Sequence, residues 1–181
     1  MKFSLCTLLI TLATCALAPL QAAETYKVST EKSKIDFVGK KSDGQHKGGF
    51  KKITGEARVD HETPEMGSIK LEIDTSSLWS DNNNLTEHLK NPDFFNVRKY
   101  PKITFESTKV EKTEDGGVIV GKLTMFDKTV ETKVPVKAEK TDDGIKLTAT
   151  FKIDRTKWGM TYSVDKVNKE VDLVADILLT K

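Results

Sequence analysis

The sequence predicts an all-β domain, an antiparallel barrel or sandwich of about eight strands. Three observations predict it. Apolar and polar residues alternate with a period of two through most of the chain after residue 25, the pattern of strands with one buried face. Turn-forming clusters separate these runs at hairpin spacing: Ser42-Asp43-Gly44, Thr63-Pro64-Glu65-Met66-Gly67, Glu114-Asp115-Gly116-Gly117 and Asp142-Asp143-Gly144. No strand-helix-strand crossover pattern is present, which argues against an α/β sheet.

Taken in order, the first element is a leader. MKFSLCTLLITLATCALAPLQAAE places Lys2 before an apolar run from Phe3 to about Leu17 and small residues at Ala22 and Ala23. That is the layout of a secretory signal peptide, with an apolar run too short for a membrane span. Removal of residues 1–23, near Ala22/Ala23, is expected to leave residues 24–181 as one periplasmic or secreted domain. The chain's 2 cysteines, Cys6 and Cys15, both lie in the leader, so the mature domain would carry neither disulfide nor thiolate site. Leu12-Ala13-Thr14-Cys15 offers the alternative of a lipoprotein anchored through Cys15.

Without Lys2 the domain holds 28 basic against 27 acidic residues, which lacks the basic excess of a nucleic-acid binder. Eight lysines fall between Lys27 and Lys52, against Glu31, Asp36 and Asp43. They read as a solvated strand face in preference to a collar for an acidic head group.

Weak alternation marks strands over Lys34 to Lys41 and Lys51 to Asp60. Ile69, Leu71 and Ile73 face away from Lys70, Glu72 and Asp74 in the next. SDNNNLTEHLKNPDFF then gives the one helical stretch: Asn84 and Glu87 suggest a capping box, Leu85, His88 and Leu89 a short apolar stripe, and Pro92 the stop. Strands resume over Tyr100 to Val110 and Val118 to Met125. The clearest alternations follow, Val130 to Ala138, Ile145 to Ile153 and Val171 to Leu179. An irregular piece, DRTKWGMTYSVDK, separates the last two.

Two connections therefore carry rings and large apolar groups outside the strands: Phe94, Phe95 and Tyr100 in one, Trp158 and Met160 in the other. Small residues, Gly55, Ala57, Gly121, Ala138, Ala149 and Ala175, share the inward face of the strands. An eight-stranded barrel either fills itself with side chains or, lined by small ones, keeps room for one ligand. Alternation alone leans toward the filled core.

Chemistry-bearing motifs are sparse. His46, His61 and His88 lie in separate segments without metal-ligand spacing, and no nucleophile elbow, phosphate loop or dinucleotide fingerprint occurs. No metal site and no cofactor is expected.

Several segments in order, YKVSTEKSKIDFVGKK, HKGGFKKITGEARVD, IDTSSL, HLKNPDFFNVRKYPKITFEST, GKLTMFDKT, IDRTKWGM and VDLVADILL, resemble the YceI-like family of secreted lipid-binding proteins. The most specific is Asp93-Phe94-Phe95, then Tyr100-Pro101, then Ile103-x-Phe105-x-Ser107. The resemblance implies an extended, lipocalin-like antiparallel barrel of about eight strands, with the helix and a long loop over one end. It also implies a cavity holding a polyisoprenoid, prenyl quinone or fatty-acyl-like amphiphile, and no catalysis. The chain departs from the family at Ser29, at Lys32-Ser33 and at Phe126-Asp127-Lys128.

On that resemblance Phe37, Phe50, Leu71, Phe105, Leu123, Met125, Leu147, Phe151 and Leu173 would form the cavity wall. Phe94, Phe95, Tyr100, Trp158 and Met160 would close its ends, with His46, Asp93 and Arg155 as polar contacts at the rims. At about −0.3 kcal/mol per heavy atom, roughly 30 buried atoms give about −9 kcal/mol, so apolar burial alone reaches micromolar affinity or better. A long-chain isoprenoid or fatty-acyl amphiphile is the expected partner, with transient membrane contact and homodimerisation as further expectations and no nucleic acid. Two alternatives stand beside the carrier: an enzyme acting on a bound lipid through His88, Asp93 or Arg155, and a stress or interaction protein with a filled core.

Overall fold

A computed structural model describes residues 23–60, 67–114 and 116–181. The expected leader with Cys6 and Cys15, and the turn at residues 61–66 with His61, lie outside the described residues. Within them the chain forms β1 (Glu24–Val28), β2 (Lys34–Lys41), β3 (Gly44–Phe50), β4 (Ile53–Val59), β5 (Ser68–Asp74), β6 (Leu78–Ser80), α1 (Asn83–Lys90), β7 (Lys102–Thr113), β8 (Gly116–Met125), β9 (Lys128–Thr141), β10 (Gly144–Asp154) and β11 (Val167–Thr180). Every pairing is antiparallel, and the ring β1-β4-β5-β7-β8-β9-β10-β11 closes through β1 and β11. The barrel expected from the sequence is thus an eight-stranded closed meander.

Eleven strand segments make eight barrel strands because three neighbours are bent at one level. β1 and β2 are one strand broken at residues 29–33; β3 and β4 break at residues 51–52; β5 and β6 break at a one-turn 3-10 helix, Thr75–Ser77. A bend strands backbone groups, and hydroxyl side chains satisfy them. Ser77 Oγ accepts from the amides of Lys51 and Lys52 at 3.2 and 3.1 Å. Thr30 donates to the Ile53 carbonyl, Thr75 donates to the Tyr100 carbonyl, and Ser33 Oγ accepts from Leu178 N–H.

Below the bends the ring is closed by backbone hydrogen bonds. Above them β2, β3 and β6 continue from β11 alone, and among the described residues β6 has no strand on its outer side. The helix and the connection at residues 91–100 cover that gap. Thr86 Oγ1 accepts from Ser80 N–H, joining α1 to β6. The helix cap corrects the expectation: Asn82, not Asn84, is the N-cap, its side chain accepting from Leu85 N–H at 3.0 Å. The stop before Pro92 is as expected, with Asn91 as C-cap.

The interior is divided. On one side Ile53, Ile73, Ile103, Phe105, Leu123 and Met125 from β4, β5, β7 and β8 are buried against each other. On the other, Phe37 on β2, Leu147 and Phe151 on β10 and Leu173 on β11 face inward and are only half-buried. A fully filled core is therefore overturned. Two glycines set the larger rings: Gly121 lies under Phe105 and Gly48 under Phe37, where an added Cβ would sit 2.5 Å from each ring.

Gly55 has φ +152, and an added Cβ there would collide with the Lys70 carbonyl on β5. Gly55→Ala is expected to cost about 1 to 3 kcal/mol in urea unfolding. Gly39→Ala, which has nothing within 4 Å of the added methyl, is expected to stay within about 0.5 kcal/mol of the parent.

Candidate functional site

Cross-strand register builds the site in rows. Ile153 on β10 pairs with Val171 on β11, Val171 with Gly39 on β2, and Gly39 with His46 on β3. The row two residues deeper runs Phe151, Leu173, Phe37, Gly48, and the next Ala149, Ala175, Ile35, Phe50. Each row is apolar on the inward face except for its upper edge at His46. Together with the opposite strands they enclose a cavity of about 370 Å³, within the usual range for small-ligand sites.

Of the residues expected at the site, Phe37, Phe50, Leu71, Phe105, Leu123, Met125, Leu147, Phe151 and Leu173 lie on this cavity's wall. Phe94, Phe95, Met160, His46 and Arg155 lie there too. Phe95 closes the upper end within an aromatic group, 5.4 Å from Phe50, 6.4 Å from Phe37 and 6.2 Å from Phe126. Phe94 belongs to a second group with His88 and Tyr162, all ring centroids 5.1 to 5.3 Å apart. That group joins the helix-bearing connection to the loop before β11, across the mouth.

Three expected residues stand off the wall. Trp158 is a core residue, 2% exposed, its indole N–H donating to the Leu123 carbonyl at 2.9 Å. Tyr100 packs edge-on against Phe126, 5.3 Å between centroids, outside the cavity. Asp93 reaches the site indirectly, its carboxylate 2.9 Å from His88 Nε2.

Arg155 reaches the wall with four of its five N–H donors engaged. Buried and 3% exposed, it donates to the carbonyls of Asn168, Met160, Tyr162 and Val167 at 2.7 to 3.0 Å. Burial pulls its pKa down from the ordinary value, with Asp154 pulling back. Its role is to staple the loop that carries Met160 and Tyr162. The set His88, Asp93, Arg155 therefore does not converge as an acid-base unit; only His88 and Asp93 pair, at a half-exposed rim.

Strand alternation missed Tyr162, which comes from a connection where no period operates, whereas His88 was legible on the apolar stripe of the helix. Ile35, Ile69, Val171 and Ile177 were legible as inward strand residues. The turn between β8 and β9 is made by Phe126-Asp127. Both residues have positive φ, +53 and +57, in a two-residue hairpin where Asn-Gly is favoured. The strained Phe126 supplies the ring that Phe95 and Tyr100 lean on.

A second cavity of about 810 Å³ opens at the lower end, rimmed by Arg58, Lys112, Lys140 and Asp142. It shares Ile69, Ile119, Val136 and Leu147 with the upper one, so these four side chains stand between the two cavities. Along β2 and the bends the lysines pair with carboxylates, Lys34 with Asp36 and Lys52 with Asp74, and at the cavity mouth Lys40 with Asp172 and Lys41 with Asp43. The solvated-face reading of that segment fits these pairs.

Arg155→Met would leave four carbonyls without their donor and is expected to destabilise by about 2 to 4 kcal/mol, with faster amide exchange first at residues 160–168. Asp154 caps the 3-10 turn Arg155–Trp158, and hydrogen bonds from Thr156 hold its carboxyl below the usual range. The stability this contributes is present above the unfolded carboxylate pKa of about 3.9 and is lost as pH falls through the lower folded value. Asp154→Asn is expected to make the acid limb of a thermal-melting pH profile shallower below about pH 4.

Comparison with known proteins places this geometry. The model of the YceI-like domain matches residues 26–179. A UPF0312 protein of Yersinia pestis is 35% identical over 78 residues, 43% of this chain, and the match spans about two fifths (41%) of that relative's length. A UPF0312 protein of Pseudomonas paraeruginosa is 29% identical over 138 residues, 72% of this chain and 71% of its own. Among solved structures, Burkholderia cenocepacia BcnA superposes with TM-score 0.78 at 23% identity, over 85% of this chain and 99% of BcnA. A polyisoprenoid binding domain from Saccharophagus degradans superposes with TM-score 0.64 at 12% identity, over 88% of this chain and 99% of its own. Both structures share the fold. With the match running from Tyr26 on β1 to Leu179 on β11, around the whole ring, the chain belongs to the YceI-like domain family.

Proposed function

We propose that the protein binds a long-chain amphiphile, isoprenoid or fatty-acyl in character, in its barrel and carries or sequesters it in the periplasm without transforming it. One observation carries this reading: Phe37, Leu147, Phe151 and Leu173 face inward yet stay half-buried, because they line an apolar cavity. Leaving such area unfilled forgoes about 25 cal/mol per Å² of apolar surface, which a bound tail would recover. The polyisoprenoid binding named for the Saccharophagus degradans domain, which shares this fold, supports the same ligand class.

The tail would lie along the barrel axis. Phe94 and Phe95 close the upper end over it, and Ile69, Ile119, Val136 and Leu147 stand between the two chambers. A lipid-modifying enzyme has one observation in its favour, the pairing of His88 with Asp93. Arg155, the third group it would use, is occupied by four carbonyls.

Native mass spectrometry with organic extraction, on protein from its own host, tests the reading. The expected result is one stoichiometric lipid whose mass is unchanged on incubation. Protein that stays empty after exposure to prenyl quinones and fatty amides sinks the proposal, and a changed lipid mass favours the enzyme. Phe94→Ala with Phe95→Ala is expected to speed lipid release by about tenfold or more while the fold persists, as followed by transfer to acceptor vesicles.

A further inference from the structure

We propose that the four side chains between the two cavities set the length of the bound chain: Ile69, Ile119, Val136 and Leu147 are the floor on which its end stops. The proposal rests on the carrier reading above and adds chain length to the chemistry of the ligand.

Strand register places this floor. Along β10 Ala149 lines the upper cavity, Leu147 both and Ile145 the lower; along β9 the same order is Val134, Val136 and Ala138. Ile69 on β5 and Ile119 on β8 also line both. In the ring of eight, β5 and β10 stand four places apart, so Ile69 and Leu147 reach in from opposite walls, with Ile119 and Val136 on strands between them. On the remaining arc Ile177, Leu179 and Tyr26 are buried.

The backbone sets the level. Leu147 faces Ile177 on β11, and the next residue, Leu178, donates its N–H to Ser33 at the bend between β1 and β2. The floor therefore lies where the ring begins to close, at a section that eight strands can fill with side chains. Ile69 and Ile119 are buried there, and Val136 and Leu147 pack against the same core.

Packing then gives a length. At about 30 Å³ for a water-sized group, the upper cavity of about 370 Å³ holds on the order of a dozen chain carbons. While that chamber has room, each further buried carbon improves affinity about fourfold. Once the end of the chain meets the floor, added carbons stay at the mouth and the gain stops. The lower cavity of about 810 Å³ lies beyond its reach.

The test is a native mass spectrometry competition on delipidated protein, with straight-chain fatty amides from about 8 to about 20 carbons offered in adjacent pairs. The expected result is a rise of about fourfold per carbon up to about a dozen carbons, with no gain beyond. Leu147→Ala joins the chambers and is expected to carry the rise at least about three carbons further, so that the longest amides bind more than about tenfold tighter than in the parent. Adding Ala138→Phe, which faces residue 147 across the ladder and fills the lower chamber, should restore the parent's limit. Ala175→Leu leaves the floor whole and fills the upper chamber from β11, so it should lower the limit by about two or three carbons, and it tests the idea even without a folded Leu147→Ala.

Affinity that rises without a break through the whole series overturns the proposal and leaves the carrier reading standing. A limit that stays in place in Ala175→Leu, or in folded Leu147→Ala, does the same. Protein that retains neither any amide of the series nor a prenyl quinone overturns both.

Discussion

The bending of three adjacent strands at a single level is the constraint on which the rest of the molecule depends. An eight-stranded ring closed by backbone hydrogen bonds along its whole height would be narrow enough to fill with side chains. Here the ladder closes only below the bends, where β1 meets both β4 and β11. Above them the strands part from β7, and the opening has to be covered by something other than backbone. The short helix, the 91–100 connection and the loop stapled by Arg155 supply that cover. The cavity and its lid are thus two results of one distortion, and the hydroxyls of Thr30, Ser33, Thr75 and Ser77 make it tolerable by taking the stranded polar groups.

On both sides of the barrel, glycines decide where bulk goes. Gly48 and Gly121 each leave the space that a neighbouring phenylalanine ring occupies, so Phe37 and Phe105 lie flat along the wall. Phe37 faces the open side and Phe105 the filled side. Both rings reach the cavity wall, but Phe105 is buried among core residues while Phe37 is only half-buried, and what separates them is the strand on which each stands.

Much of the architecture was legible in the sequence because period-two alternation holds within each strand segment: Ile35, Phe37 and Gly39 keep their face from one row to the next, as do Leu147, Ala149 and Phe151. The alternation could not say whether the facing residues meet, since that depends on how far the opposite strands stand apart. Trp158 shows the limit in the connections. Its place in an irregular connection suggested a closing ring, but the Leu123 carbonyl is a long-range partner that no local pattern encodes. Arg155 shows another, because a charged residue next to a cavity invites a ligand role until its carbonyl partners are seen. Asn82 in place of Asn84 at the helix cap is a smaller slip of the same kind: a run of three asparagines offers several caps, and the turn leading from β6 chooses among them.

The meander order has a kinetic consequence. Seven of the eight joints in the ring pair strands that follow one another in the chain, so their contacts close short loops at small entropic cost. The eighth, where β11 meets β1 and β2, joins groups as far apart as Ser33 and Leu178, 145 residues along the chain. Zipping can proceed locally from any hairpin, and this last seam sets the contact order of the whole barrel. Its closure costs least chain entropy once the other seven joints hold its two sides near each other, which makes it the weakest line against unrolling of the cylinder into an open sheet.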